Sequence, residues 1–154
     1  MVDQQEKLWT FDSVEAGQVG NETVVDISAE NIAEYARLAL NESPAYQSDA
    51  SGLVAMPTMV LSYAPLLRGE IAEANGFVAV EVSKTARSQT PCAKCEIRWF
   101  LPVVAGDTIT GRRRVLEKYG RRGSKFVTVR VEAINQRGEL AAEYDYTCIF
   151  EYAK

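Results

Sequence analysis

The chain of 154 residues contains no histidine. That single absence removes the commonest general base near neutral pH, the base of serine triads and the favoured zinc ligand. Cysteine is scarce: three residues, an odd number, argue against a disulfide framework and for a reducing compartment. No uninterrupted apolar run reaches the ~18 residues of a membrane span. The first residues, Met-Val-Asp-Gln-Gln-Glu-Lys, lack the apolar centre of a signal peptide. The expected location is the cytoplasm.

What is present describes an ordinary globular chain, 47% hydrophobic and 25% charged, so one domain over residues 1–154 is expected. Its charge is lopsided. Residues 1–76 carry 3 Lys+Arg against 12 Asp+Glu, and residues 77–154 carry 14 against 9. A basic second half could face a phosphorylated ligand or an acidic partner; opposite solvated faces explain the same charges. With a pI near 5.0 and no recognisable binding motif, nucleic-acid binding is not expected.

Along the chain, Glu22 to Ile27 is a β-branched run suited to a strand. Ser28 reads as an N-cap, and Ile32, Tyr35, Ala36, Ala39 and Leu40 then fall on one helical face. Ile27 and Ile32 are spaced for a hydrophobic staple across that cap. The helix should stop by Glu42 or Ser43, because Pro44 disfavours helical geometry before it. A second, apolar helix is expected from Thr58 to Asn75, with Pro57 at its start and Gly76 as its cap. Pro65 predicts a kink or short break within it. Strands are expected at Phe77–Val82, Ala93–Phe100, Thr108–Lys118, Lys125–Asn135 and Leu140–Tyr152, the last three as an antiparallel meander. The fold class is α+β, an antiparallel sheet wrapped around a buried helix at about 58–75.

Three short motifs stand out in order along the chain: Trp9-Thr10-Phe11-Asp12 to Gly17-Gln18, then Gly52 to Met59, then Phe100-Leu101-Pro102-Val103-Val104-Ala105-Gly106-Asp107-Thr108-Ile109. In this order and spacing they make the chain resemble the MaoC-like family of hotdog proteins, the (R)-specific enoyl-CoA hydratases and 3-hydroxyacyl-thioester dehydratases. The first is similar to the family's aromatic–acidic entry, and the last resembles its turn into the long central strand. Gly52 to Met59 sits where the family enters its central "hot" helix.

The resemblance implies an acyl thioester of coenzyme A or acyl carrier protein as substrate, with no resident cofactor or metal. Catalytic members carry Gly-Asp-x-Asn-Pro-x-His after the first helix, and the Asp and His activate water for addition across the enoyl double bond. On this chain those positions fall on Leu40, Asn41, Ser43, Pro44 and Tyr46. Asn41 takes no proton at accessible pH, and a tyrosine is a poor base without a cationic neighbour. Asp49 in the same polar segment is a further catalytic candidate. A backbone N–H at Thr58, between Pro57 and Met59, would bind the thioester oxygen with help from the helix dipole. The implied role is the non-catalytic subunit of a heteromeric hydratase, paired with a catalytic hotdog chain. Hotdog chains usually dimerise by edge pairing.

Other candidates each have a plain alternative. Arg112-Arg113-Arg114, with Lys118, Arg121, Arg122 and Lys125, could contact coenzyme A phosphates or an acidic carrier protein. Strand alternation would send Arg113 to the face opposite Arg112 and Arg114, and Arg-rich hairpins also guard sheet edges. Cys92 and Cys95 form a Cys-x-x-Cys, but only Cys148 could add a third thiol, so a closed zinc site is not expected. On an ideal strand the first two would face opposite sides. Glu70 and Glu73 could serve a hotdog thioesterase or form a solvated face. A purely acyl-CoA-binding hotdog without chemistry is the third reading.

Overall fold

Five strands form one antiparallel sheet. The computed structural model describes residues 5–47 and 52–154. Strands β2 (Thr23–Asp26), β4 (Cys92–Trp99), β5 (Thr108–Arg121), β6 (Ser124–Ile134) and β7 (Leu140–Glu151) lie in the order β2-β5-β6-β7-β4. The meander β5–β6–β7 is its centre, as expected. Val127, Val129, Val131 and Ala133 of β6 and Ala142 and Tyr144 of β7 are buried and face the helices.

Helix α1 (Ala29–Leu38) starts where Ser28 Oγ accepts the Asn31 N–H at 3.0 Å. Ile27 and Ile32 are both buried beside that cap, consistent with the expected staple.

The central helix is not continuous. Pro57–Met59 form a 3-10 turn, α2 covers only Val60–Tyr63, and α3 covers Arg68–Ala74. Proline supplies the break anticipated at Pro65: it has no N–H to donate and crowds the residue before it. Ala64 accordingly leaves helical geometry at φ −131°, ψ 71°, and Leu67 turns left-handed at φ 46°. Two strands stabilise the freed carbonyls. Tyr144 OH donates to Ala64 O at 2.6 Å, and Arg113 Nε donates to Pro65 O at 2.5 Å. The break is thus held by side chains from β7 and β5, and its buried acceptors are satisfied.

A second departure concerns Phe77–Val82. Only β3 (Val78–Ala79) forms, paired in parallel with the equally short β1 (Leu8–Trp9). Val82 N–H instead closes a turn onto Ala79 O at 3.1 Å, which ends the strand.

The turn 103–107 joins three segments. Ala55 N–H donates to Val103 O (2.8 Å), Ala105 N–H to Leu53 O (3.0 Å) and Gly106 N–H to Ile27 O (2.7 Å). Gly106 adopts φ 96°, which a side chain would disfavour. The buried Asp107 carboxylate accepts from Val104 N and Gln136 Nε2, each at 2.9 Å. This Gly-Asp turn fixes the approach to α1 and the approach to the central helix against each other. Among the described residues, no helix is long and apolar enough to cross a membrane.

On the opposite face of the sheet, Asp145 accepts from Arg130 Nε (2.7 Å) and from Nη2 groups of Arg130 and Arg98 (2.9 Å each). The Arg130 hydrogen bond, with Arg98 adding to it, holds the Asp145 carboxyl below its usual range against the opposing effect of burial. A lowered folded-state pKa contributes stability above the unfolded carboxylate range, near pH ~4, and loses it as pH falls below. Asp145→Asn is therefore expected to flatten the acid limb of stability measured by urea unfolding between pH 6 and 3. Equal losses in both proteins would contradict this.

Candidate functional site

The segment after α1 is built by a left-handed turn. Leu40 adopts φ 56° and is 89% exposed, and Asn41 N–H reaches back to Ala36 O at 2.8 Å. Asn41 Oδ1 then accepts the Ser43 N–H at 3.0 Å, and Asn41 Nδ2 meets Met56 Sδ at 3.7 Å. That second contact brings the segment to the head of the central helix. Pro44–Tyr46 follow as a 3-10 turn, and Tyr46 packs half-buried against the core. Asn41 and Tyr46 line one cleft of about 540 Å³, together with Glu34, Arg37 and Leu40. Asp49 lies outside the described residues.

At the helix head, Pro57 has no N–H, and among the described residues no acceptor meets the Thr58 N–H. Two aromatic donors hold this turn. Tyr35 OH donates to Thr58 Oγ1 at 3.0 Å, and Trp99 Nε1 donates to Pro57 O at 2.9 Å. Thr58 is exposed and Met59 buried. An apolar groove of about 310 Å³ runs beside them, lined by Val25, Tyr35, Leu38, Met59 and Tyr63. Burial pushes the Tyr63 hydroxyl up to about 12, so near neutral pH it is a protonated donor.

Tyr35 and Trp99 were not singled out in the sequence. Tyr35 occupies a core-type helical position, and nothing in the order of residues reveals that its hydroxyl extends past the core to Thr58. Trp99 ends an edge strand, and its hydrogen bond spans 42 residues.

The arginine triplet divides as strand alternation requires. Arg112 is exposed and paired with Glu22 at 2.6 Å, and Arg114 is half-buried. Arg113 is 2% exposed. Its guanidinium donates to Pro65 O, Asn21 O and Thr23 Oγ1, so it serves the helix break and is not placed as a phosphate contact. Burial lowers its pKa, and no carboxylate lies in hydrogen-bond contact among the described residues. Glu70 is half-buried and Glu73 exposed on α3, and neither lines the clefts described above.

The thiols are free: Cys92 and Cys95 exposed, Cys148 buried. A register shift between Cys92 and Lys94 pairs Cys92 with Cys148 and Cys95 with Tyr146. Residues 146 and 148 share one face, so Cys92 and Cys95 also share a face, contrary to the ideal-strand expectation.

A family profile described as "FAS1-like, dehydratase domain region" matches residues 16–144. The chain belongs to this family. Its fold is that of the MaoC-like hotdog hydratases and dehydratases. One similar solved structure is the monoamine oxidase regulatory protein from Archaeoglobus fulgius, at 23% identity and TM-score 0.71, covering 96% of this chain and 97% of that one. Another is the HadBC complex, a 3R-hydroxyacyl-ACP dehydratase from Mycobacterium tuberculosis. It is 20% identical with TM-score 0.62, over 88% of this chain and 99% of that one. The ChsH1-ChsH2 complex from the same organism is 15% identical with TM-score 0.61, over 90% and 99%. None of the curated proteins matches the sequence.

Proposed function

We propose that this chain is the acyl-thioester-binding, non-catalytic subunit of a heteromeric (R)-specific enoyl-thioester hydratase or dehydratase. The observation that carries the reading is the cleft after α1, where Asn41 and Tyr46 stand together and the lining carboxylates, Glu30, Glu34 and Glu42, have no imidazole to act with. Asn41 is engaged as a structural amide, bonded to Ser43 N and in contact with Met56. No proton-transfer step is assigned to it.

Other features support thioester binding. The Thr58 N–H heads the helix and suits a thioester oxygen. The apolar groove beside Tyr35, Leu38 and Met59 suits an acyl chain. Exposed Arg112 and half-buried Arg114 remain candidates for the coenzyme A phosphates, with Arg113 serving the fold instead. The partner is a second hotdog chain with an intact Asp and His, meeting this one along the free edge of β4. Two hotdog chains sit together in HadBC and ChsH1-ChsH2, which supports the reading.

The test uses crotonyl-CoA and longer 2-enoyl-CoA thioesters. The chain alone should bind them without turnover. Mixing with a hotdog chain encoded beside it, bearing the Asp…His pair, should give hydration that Thr58→Pro in this chain weakens. Clear hydration by the isolated chain would overturn the accessory role. Release of free coenzyme A, abolished by Glu70→Gln or Glu73→Gln, would favour a thioesterase instead.

A further inference from the structure

The Cys-x-x-Cys spacing draws attention to Cys92 with Cys95, but the sheet matches Cys92 with a different thiol. Cys92 lies directly opposite Cys148 on β7. Ile149 N–H donates to Pro91 O at 2.9 Å, one residue outside that pair, which marks Cys92 and Cys148 as a non-hydrogen-bonded pair. Such pairs bring Cα atoms to about 4.5 Å, with side chains on the same face at their closest. A disulfide needs Cα atoms about 4.4–6.8 Å apart. Cys95 stands opposite Tyr146, one same-face step along the strand, about 6.6 Å away on an undistorted strand.

The two thiols also differ in the way an exchange reaction needs. Cys92 is exposed, so a small oxidant reaches it. Cys148 is buried, and Arg68 Nη1 donates to its Sγ at 2.9 Å. Arg68 further donates to Thr90 O and pairs with Glu81 at 3.5 Å. Burial raises the Cys148 thiol, while the Arg68 cation and its hydrogen bond favour the thiolate.

We propose that Cys92 and Cys148 form a reversible intrachain disulfide on exposure to a low-molecular-weight disulfide, with Cys95 a bystander. The Cys92 thiolate attacks one sulfur of the small disulfide, giving a mixed disulfide on Cys92 and one small thiolate. The Cys148 thiolate then attacks Cys92 Sγ and expels the second small thiolate. Two protein thiols lose two electrons and two protons, and the small disulfide becomes two thiols. The new bond ties the outer strand β4 to β7 at its first residue. It also ties into the new bond the sulfur that Arg68, the first residue of α3, meets.

The experiment incubates the full chain with oxidised glutathione, quenches by alkylation and reads intact mass and peptide linkage. The expected product is monomeric, lighter by two hydrogens, with peptides containing Cys92 and Cys148 joined, and reverts with reduced glutathione. Cys95→Ser should leave this unchanged, and Cys92→Ser should abolish it. Cys92 is exposed, so that variant keeps the fold in case Cys148→Ser does not. A stable glutathione adduct on Cys92, a Cys92–Cys95 link, or a link between two chains would each overturn the proposal.

Discussion

Replacing Arg113 with alanine is expected to lower the unfolding free energy by about 3–5 kcal/mol. The side chain is 2% exposed, and it serves three acceptors on two segments: Pro65 O at the helix break, and Asn21 O and Thr23 Oγ1 at the start of β2. Truncation leaves these polar groups without their donor, at about 1–3 kcal/mol for each that water cannot reach, and opens a cavity as well. Lysine should rescue little, because one ammonium cannot reproduce the planar fork that reaches all three. Arg112→Ala is the control. Its ion pair with Glu22 is about half exposed on both sides, so its loss should change stability by no more than about 0.5 kcal/mol. Urea midpoints of the three variants test the division of labour within the triplet. A loss under about 1 kcal/mol for Arg113→Ala would mean that water replaces the guanidinium.

Joint replacement of Asn41 by Asp and Tyr46 by His should raise crotonyl-CoA hydration by about 10²–10⁴-fold over the unmodified chain. Asn41 and Tyr46 already line one cleft, and Asn41 touches Met56 beside the helix head. The left-handed backbone at Leu40 keeps the turn that presents them. Neither single replacement should suffice, since activating water and delivering the proton require two groups acting together. The assay is loss of the conjugated thioester absorbance. If the double variant binds the thioester but stays inactive, the frame has drifted as well as the chemistry, and the reading of these positions as vacated acid and base fails.

Periodicity and turn chemistry made much of the architecture legible in the sequence. The meander followed from alternation around Val127, Val129 and Val131, and the cap of α1 from Ser28. The interruption near Pro65 followed from the geometry of proline itself. What stayed hidden depended on partners distant in the chain. Nothing local shows that Tyr144 and Arg113 meet the carbonyls freed by that interruption, 80 and 48 residues away. The same applies to Tyr35 and Trp99 at the helix head. The register shift after Cys92 is a tertiary effect, so strand alternation placed Cys92 and Cys95 on opposite faces when they share one. Asn41 and Tyr46 stood out because a motif resemblance fixed which residues to expect there.

The interrupted central helix also bears on the order in which the molecule assembles. Its pieces span four and seven residues, far below the ~12–15 at which an isolated helix becomes marginally stable in water. Neither can form first and recruit the sheet. The three strands from Thr108 to Glu151 are contiguous in the chain and pair across short turns, so their loop-closure entropy is the smallest in the fold. They are expected to form the surface on which α2 and α3 condense. Contacts such as Arg113 with Pro65 are then expected to close late, after the folding barrier. Their loss belongs in a faster unfolding rate, with the folding rate little changed.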